Sequence, residues 1–64
     1  MAHVKQAVAE LSPKQKQVFI LRYYQDLALR EIGEIMGLQI RTIKSHLFNA
    51  LRNLRQLLAD YVQI

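Results

Sequence analysis

The 64-residue chain has no cysteine and no tryptophan, one proline and two glycines. Without cysteine, no disulfide or thiolate-held metal can reinforce the core. That core is small to begin with, since a domain of this size buries only about 60% of the surface its unfolded chain exposes. Pro13, Gly33 and Gly37 are too few breaks for the several turns of a many-stranded sheet. No stretch approaches the roughly 18 apolar residues of a membrane span, because Lys, Arg, Asp or Glu interrupts each run. The N-terminus also lacks the apolar core of a signal peptide. The expected location is therefore the cytoplasm, with no membrane partner. Ser12, His46 and the acidic residues show no nucleophile, acid–base or metal-ligand spacing. Together with the short length, this predicts no enzymatic activity, no cofactor, no metal and no small-molecule substrate.

What is present is apolar and basic. Hydrophobic residues make up 52% and charged residues 22%, which is too apolar for a disordered tail. Nine Lys and Arg against five Asp and Glu give a net charge of +4. A small basic domain suits an anionic partner, most often nucleic acid. The acids are Glu10, Asp26, Glu31, Glu34 and Asp60, and none lies between Leu38 and Ala59. Arg41, Lys44, Arg52 and Arg55 all lie in that acid-free stretch.

Helix formers dominate, and the periodicity predicts four helices and no strands over a single domain, residues 1–64. Val4, Ala7, Val8 and Leu11 define a first helix over about 3–11. Ser12 is placed to cap the next helix, with Pro13 at its first position and Gln15 completing a capping box. That helix is predicted over about 13–24. Gln25, Asp26 and Leu27 read as a turn. A short third helix over about 29–36 ends at Gly37, where a left-handed residue commonly stops a helix. The fourth, over about 40–60, carries the clearest stripe: Ile43, Leu47, Ala50, Leu51, Leu54, Leu58 and Tyr61.

A short helix, a tight turn containing glycine and a longer helix form a helix-turn-helix over about 29–49. Gly33 lies inside the third helix, where glycine costs about 1 kcal/mol against Ala. Close approach of a neighbouring helix would explain it. Ile32, Met36, Leu38 and Ile43 are the expected core between the two helices. At about 100° per residue, Arg41, Ser45, Phe48 and Arg52 point away from the apolar stripe of the fourth helix. Lys44, Asn49 and Arg55 flank them. A recognition helix enters the major groove by its N-terminal end. The candidate base readers are Lys44, Ser45, Phe48 and Asn49: Lys44 suits guanine, Asn49 suits adenine, and Phe48 suits a thymine methyl or a sugar. Thr42 near the helix start, and Arg52 and Arg55 further along, suit phosphates. His46 sits at the border of core and groove, as a packed or phosphate-contacting residue.

These residues resemble region four of bacterial sigma factors, with the extracytoplasmic-function (ECF) group as the nearest match. The resemblance rests on Leu11-Ser12-Pro13-Lys14-Gln15-Lys16-Gln17-Val18-Phe19, Leu21-Arg22-Tyr23-Tyr24, Glu31-Ile32 leading to Gly37-Leu38, and Thr42-Ile43-Lys44-Ser45-His46-Leu47. It covers about Val4 to Leu58. It implies a helical bundle that binds the double-stranded promoter element about thirty-five base pairs upstream of the transcription start. It also implies docking on the flap of the RNA polymerase beta subunit, and masking by an anti-sigma factor. In this chain it implies DNA recognition through Lys44, Ser45, His46, Phe48 and Asn49, with backbone contacts near Arg30, Arg41 and Thr42. Such a domain can hold DNA but cannot melt a promoter, which points to a piece of a longer factor.

Three positions depart from the family pattern. Ala28 stands where Ser often caps the third helix. Gln39-Ile40-Arg41 replaces Ser-Glu-Gly. Asn49 replaces a frequent Arg. Two other readings compete. The DNA-binding domain of a LuxR-type regulator has a similar layout and a similar Thr-Ile-Lys-Ser-His-Leu run. A protein-interaction module would use Val4, Val8, Tyr61, Val62 and Ile64 as a partner surface.

Overall fold

The computed structural model describes the backbone of residues 2–62 and the side chains of residues 4–59. The described residues form helices only: α1 (Ala2–Ala9), α2 (Pro13–Phe19), α3 (Leu29–Met36) and α4 (Ile40–Val62). A π-helical turn, Ile20–Tyr24, continues α2. The 23 residues of α4 make a rod of about 35 Å at 1.5 Å per residue. α1, α2 and α3 all pack against it.

The first helix stops two residues before its predicted end. Glu10 N–H donates to Ala7 O and Leu11 N–H to Val8 O, both at 3.1 Å. These tighter bonds end the helix and turn Leu11 into the core, where it is buried. Ser12 precedes a proline, which disfavours helical geometry, and it is extended at φ −61°, ψ 157°. Its backbone carbonyl accepts from Lys16 N–H at 2.8 Å, but its side chain makes no capping bond. The expected capping box is therefore absent. The Gln15 side chain instead accepts a hydrogen bond from Asn53 Nδ2 on α4 at 2.9 Å.

The predicted second helix covers the right residues but is not uniform. After Phe19 the ladder widens, and Gln25 N–H reaches Ile20 O at 3.2 Å, five residues back. Leu27 N–H reaches Leu21 O at 3.1 Å. Arg22 Nη1 closes the turn from its side chain, donating to Leu27 O at 3.1 Å. Asp26 takes a left-handed φ of 57° within this turn, a conformation that Asp tolerates better than most residues. The Phe19 ring lies 4.9 Å from that of Tyr23, tilted, and 6.1 Å from that of Tyr24, edge-on, an arrangement aromatic pairs prefer.

Two apolar clusters hold the elements together. One joins α1, α2 and the middle of α4 through Ala7, Val8, Leu11, Phe19, Ala50 and Leu54. The other joins α2, α3 and the start of α4 through Val18, Ile32 and Ile43, which are fully buried. The stripe on α4 needs one correction. Leu51 is 38% exposed, whereas Leu57 packs on the first cluster. The buried side of α4 centres on Ala50 and Leu54, which rotates Leu51 to its edge and brings Leu57 inward. Val8 is buried and Val4 packs beside it, so these two are not a free partner surface. The side chains of Tyr61, Val62 and Ile64 lie outside the described residues, and so does the predicted place of Tyr61 in the stripe.

Candidate nucleic-acid interface

α3 begins at the predicted residue without a conventional cap. Ala28 is extended at φ −72°, ψ 154° and has no side-chain acceptor to offer. Glu31 supplies the other half of the motif, its Oε1 accepting from Ala28 N–H at 2.8 Å. A carboxylate in the first turn also favours the helix dipole. At the far end, Gly37 is left-handed at φ 69°, and Leu38 N–H donates to Gly33 O at 2.9 Å. α4 then starts at Ile40, with Ile43 N–H donating to Gln39 O at 3.0 Å.

The reason for Gly33 differs in detail from the expected helix approach. A β-carbon there would stand 2.7 Å from the backbone carbonyl oxygen of Leu38, in the turn. The nearest α4 atom, Ile43 Cγ1, would be 3.8 Å away, an ordinary contact. The turn, not the neighbouring helix, excludes a side chain. Ile32 and Ile43 form the centre of this junction, and Met36 and Leu38 pack against it, as the sequence predicts. Val18, Leu21, Leu27, Leu29 and Leu47 complete it. The α2 residues among them are invisible to a reading of the motif alone, because they lie in a different helix.

This junction holds the first turns of α4 in a fixed pose, with the basic side chains outward. Arg41, Lys44, Ser45, Phe48, Arg52 and Arg55 are exposed. Thr42, His46 and Asn49 are half-buried. Arg30 is exposed on α3. Among the described residues, none of Arg30, Arg41, Lys44, Arg52 and Arg55 forms an ion pair; the pair present joins Arg22 Nη1 and Asp26 Oδ1 at 4.0 Å. The cations on α4 are therefore uncompensated, and α4 carries no acid before Asp60. Phe48 stands 65% exposed among them, with Leu51, Arg52 and Arg55 around a shallow depression. Of the predicted residues, Arg41, Ser45, Phe48 and Arg52 form the outermost ridge of α4. Lys44 and Asn49 flank it on opposite sides.

A second surface was not singled out as a site by the sequence. Pro13, Lys16, Gln17, Ile20 and Leu21 line an apolar groove on α2 and its π-helical extension. Tyr23 and Tyr24 follow in the same turn and are more than half exposed. The helical steps from Pro13 to Gln17 and Ile20 are the signal that would have found it. Among the described residues, no group of His, Cys, Asp and Glu is placed to hold a metal, and no helix is long and apolar enough to cross a membrane.

Comparison with known proteins agrees with this architecture. Residues 7–56 match the family model described as sigma-70, region 4. RNA polymerase sigma factor SigV of Bacillus subtilis is 42% identical over 50 residues, covering 78% of this chain and 30% of that protein. ECF RNA polymerase sigma factor SigW of the same species is 33% identical over 57 residues, covering 89% of this chain and 30% of the relative. An RNA polymerase sigma-E factor of Streptomyces antibioticus is 36% identical over 50 residues, covering 78% and 28%. The chain thus spans less than a third of the length of these curated relatives. The LuxR-type regulator alternative is not favoured by these matches. With the matched residues running from α1 into α4, the chain belongs to the sigma-70 region 4 family, and ECF RNA polymerase sigma factors are among its relatives.

Proposed function

We propose that this chain recognises an upstream promoter element of the −35 type by laying the first half of α4 in the major groove. The observation that carries the reading is the uncompensated basic face at the start of α4, which the Ile32–Ile43 junction packs against α3. Lys44, Ser45, Phe48 and Asn49 approach the bases. Arg30, Arg41, Thr42, His46, Arg52 and Arg55 approach phosphates on either side. The domain binds and carries out no catalysis.

Family membership also supports a wider reading. The chain acts in the cytoplasm, bound to the RNA polymerase core. The α2 groove with Tyr23 and Tyr24 supports docking on the beta flap, since it is apolar, exposed and shares no residue with the DNA face. An anti-sigma factor that covered either surface would silence the domain.

Binding to promoter-type duplex, titrated at several salt concentrations, tests this reading. Affinity should fall steeply with salt, with a slope set by the number of phosphates neutralised. Absence of binding at low salt would sink it.

A further inference from the structure

Ile40 opens α4 and is 43% exposed. It belongs to neither apolar cluster, unlike Ile43 three residues on. A β-branched residue adds little to helix stability, so neither core packing nor propensity explains it. Its position is well defined by its neighbours. It lines a shallow depression with Arg30, Gly33, Glu34, Gly37, Leu38 and Gln39. The left-handed Gly37 and the Leu38–Gly33 hydrogen bond at 2.9 Å fix the turn that delivers it.

Two exposed cations bracket this apolar spot. Arg30 lies across the depression on α3, and Lys44 lies one turn further along α4. Major-groove docking of the first turns of α4 brings the groove edge to this spot, because Ile40 sits at the N-terminal end of the helix, one turn before Lys44. On the floor of the major groove the one apolar feature of a base pair is the C5 methyl of thymine. Ile40 has no donor for a phosphate or for guanine, and its methyls match that group.

We infer that Ile40 is a specificity-determining residue that reads the methyl group of one thymine at the edge of the promoter element. The inference rests on the major-groove docking proposed above. It adds a contact distinct from Phe48, which stands eight residues and about 12 Å further along the helix at 1.5 Å per residue.

Replacing thymines one at a time by deoxyuridine, in a duplex the chain binds, removes single methyl groups without changing base pairing. At one thymine the wild-type chain should lose about fourfold in affinity, the factor expected for one buried methyl-sized group. Ile40→Ala should bind more weakly but show no difference between thymine and uracil at that base. Phe48→Ala should keep the difference there. The side chain is half exposed at a helix end, so Ile40→Ala should fold, and Ile40→Val should retain part of the discrimination. The inference is overturned if no thymine is uracil-sensitive in the wild type, or if Ile40→Ala keeps the wild-type ratio. Either result would leave groove docking standing as long as Lys44→Ala still alters base preference, and loss of that effect too would overturn both.

Discussion

The carbonyl oxygen of Leu38 lies 2.7 Å from the point where a β-carbon on Gly33 would stand. That separation sets the shape of the helix-turn-helix. Both partners are backbone-bound, so neither can swing aside as a long side chain would. Gly33→Ala would gain about 1 kcal/mol of helix propensity, but the turn must shift to admit the methyl group. The net outcome should be a loss of thermal stability, together with weaker DNA binding because α4 is displaced. An unchanged melting temperature would show that the turn is softer than its geometry indicates.

Gly37 is a separate case. Nothing lies within 4 Å of a β-carbon there, so space is not the issue; the left-handed φ of 69° is. Gly37→Ala should destabilise by about 1–2 kcal/mol, the cost of a left-handed non-glycine residue. Gly37→Asn should cost less, because Asn tolerates that region better. Urea unfolding of the two variants measures the difference, and equal losses would contradict it.

Burial separates two α4 residues that look alike in the sequence. Leu54 is buried, whereas Leu51 is 38% exposed. Leu54→Ala should cost about 2–5 kcal/mol, a large part of the stability of so small a domain. Leu51→Ala should cost well under half of that. Denaturant unfolding of both variants checks the ranking, and a reversed order would mean that α4 is rotated from the pose described.

The Gln15–Asn53 hydrogen bond joins the start of α2 to α4 across 38 positions of sequence. Asn53→Ala should cost about 1 kcal/mol, the usual net value of such a bond. Ser12→Ala should cost less than the 0.5–2 kcal/mol typical of a lost N-cap, roughly nothing from the side chain, because Ser12 makes no capping bond. Thermal melts of the two variants decide between this arrangement and a conventional capping box.

The two classes of DNA contact predict different binding defects. Asn49→Ala should cost about 1–3 kcal/mol and relax preference at one base position. Arg52→Ala should weaken all sequences alike and reduce the salt slope by about 1. Binding titrations on matched and mismatched duplexes separate the two patterns.

The helix-turn-helix was legible because its signals are local. A glycine at the end of α3, a short turn and steps of three and four residues on α4 need no knowledge of the partner helices. What could not be read depends on contacts between distant residues. Leu51 and Leu57 both lie within reach of the stripe, and only packing by α1 and α2 settles which one turns inward. Gln15 pairs with a residue on another helix, which no capping rule anticipates. The residues of the π-helical turn are ordinary helix residues, so the widened ladder after Phe19 has no local sequence cause. Residue types and placement on α4 were readable for Arg41, Ser45, Phe48 and Arg52. The border position of His46 was readable too, and it is half-buried; the partial burial of Asn49 and Thr42 was not, because it depends on elements outside α4.

In vitro selection of bound duplexes, read by sequencing, tests the central claim most directly. The wild-type chain should enrich a defined motif, Lys44→Ala and Asn49→Ala should each degrade that motif at their own base position, and Arg52→Ala should leave its sequence intact. Enrichment of the same motif by Lys44→Ala and Asn49→Ala as by the wild type would contradict recognition through this face of α4.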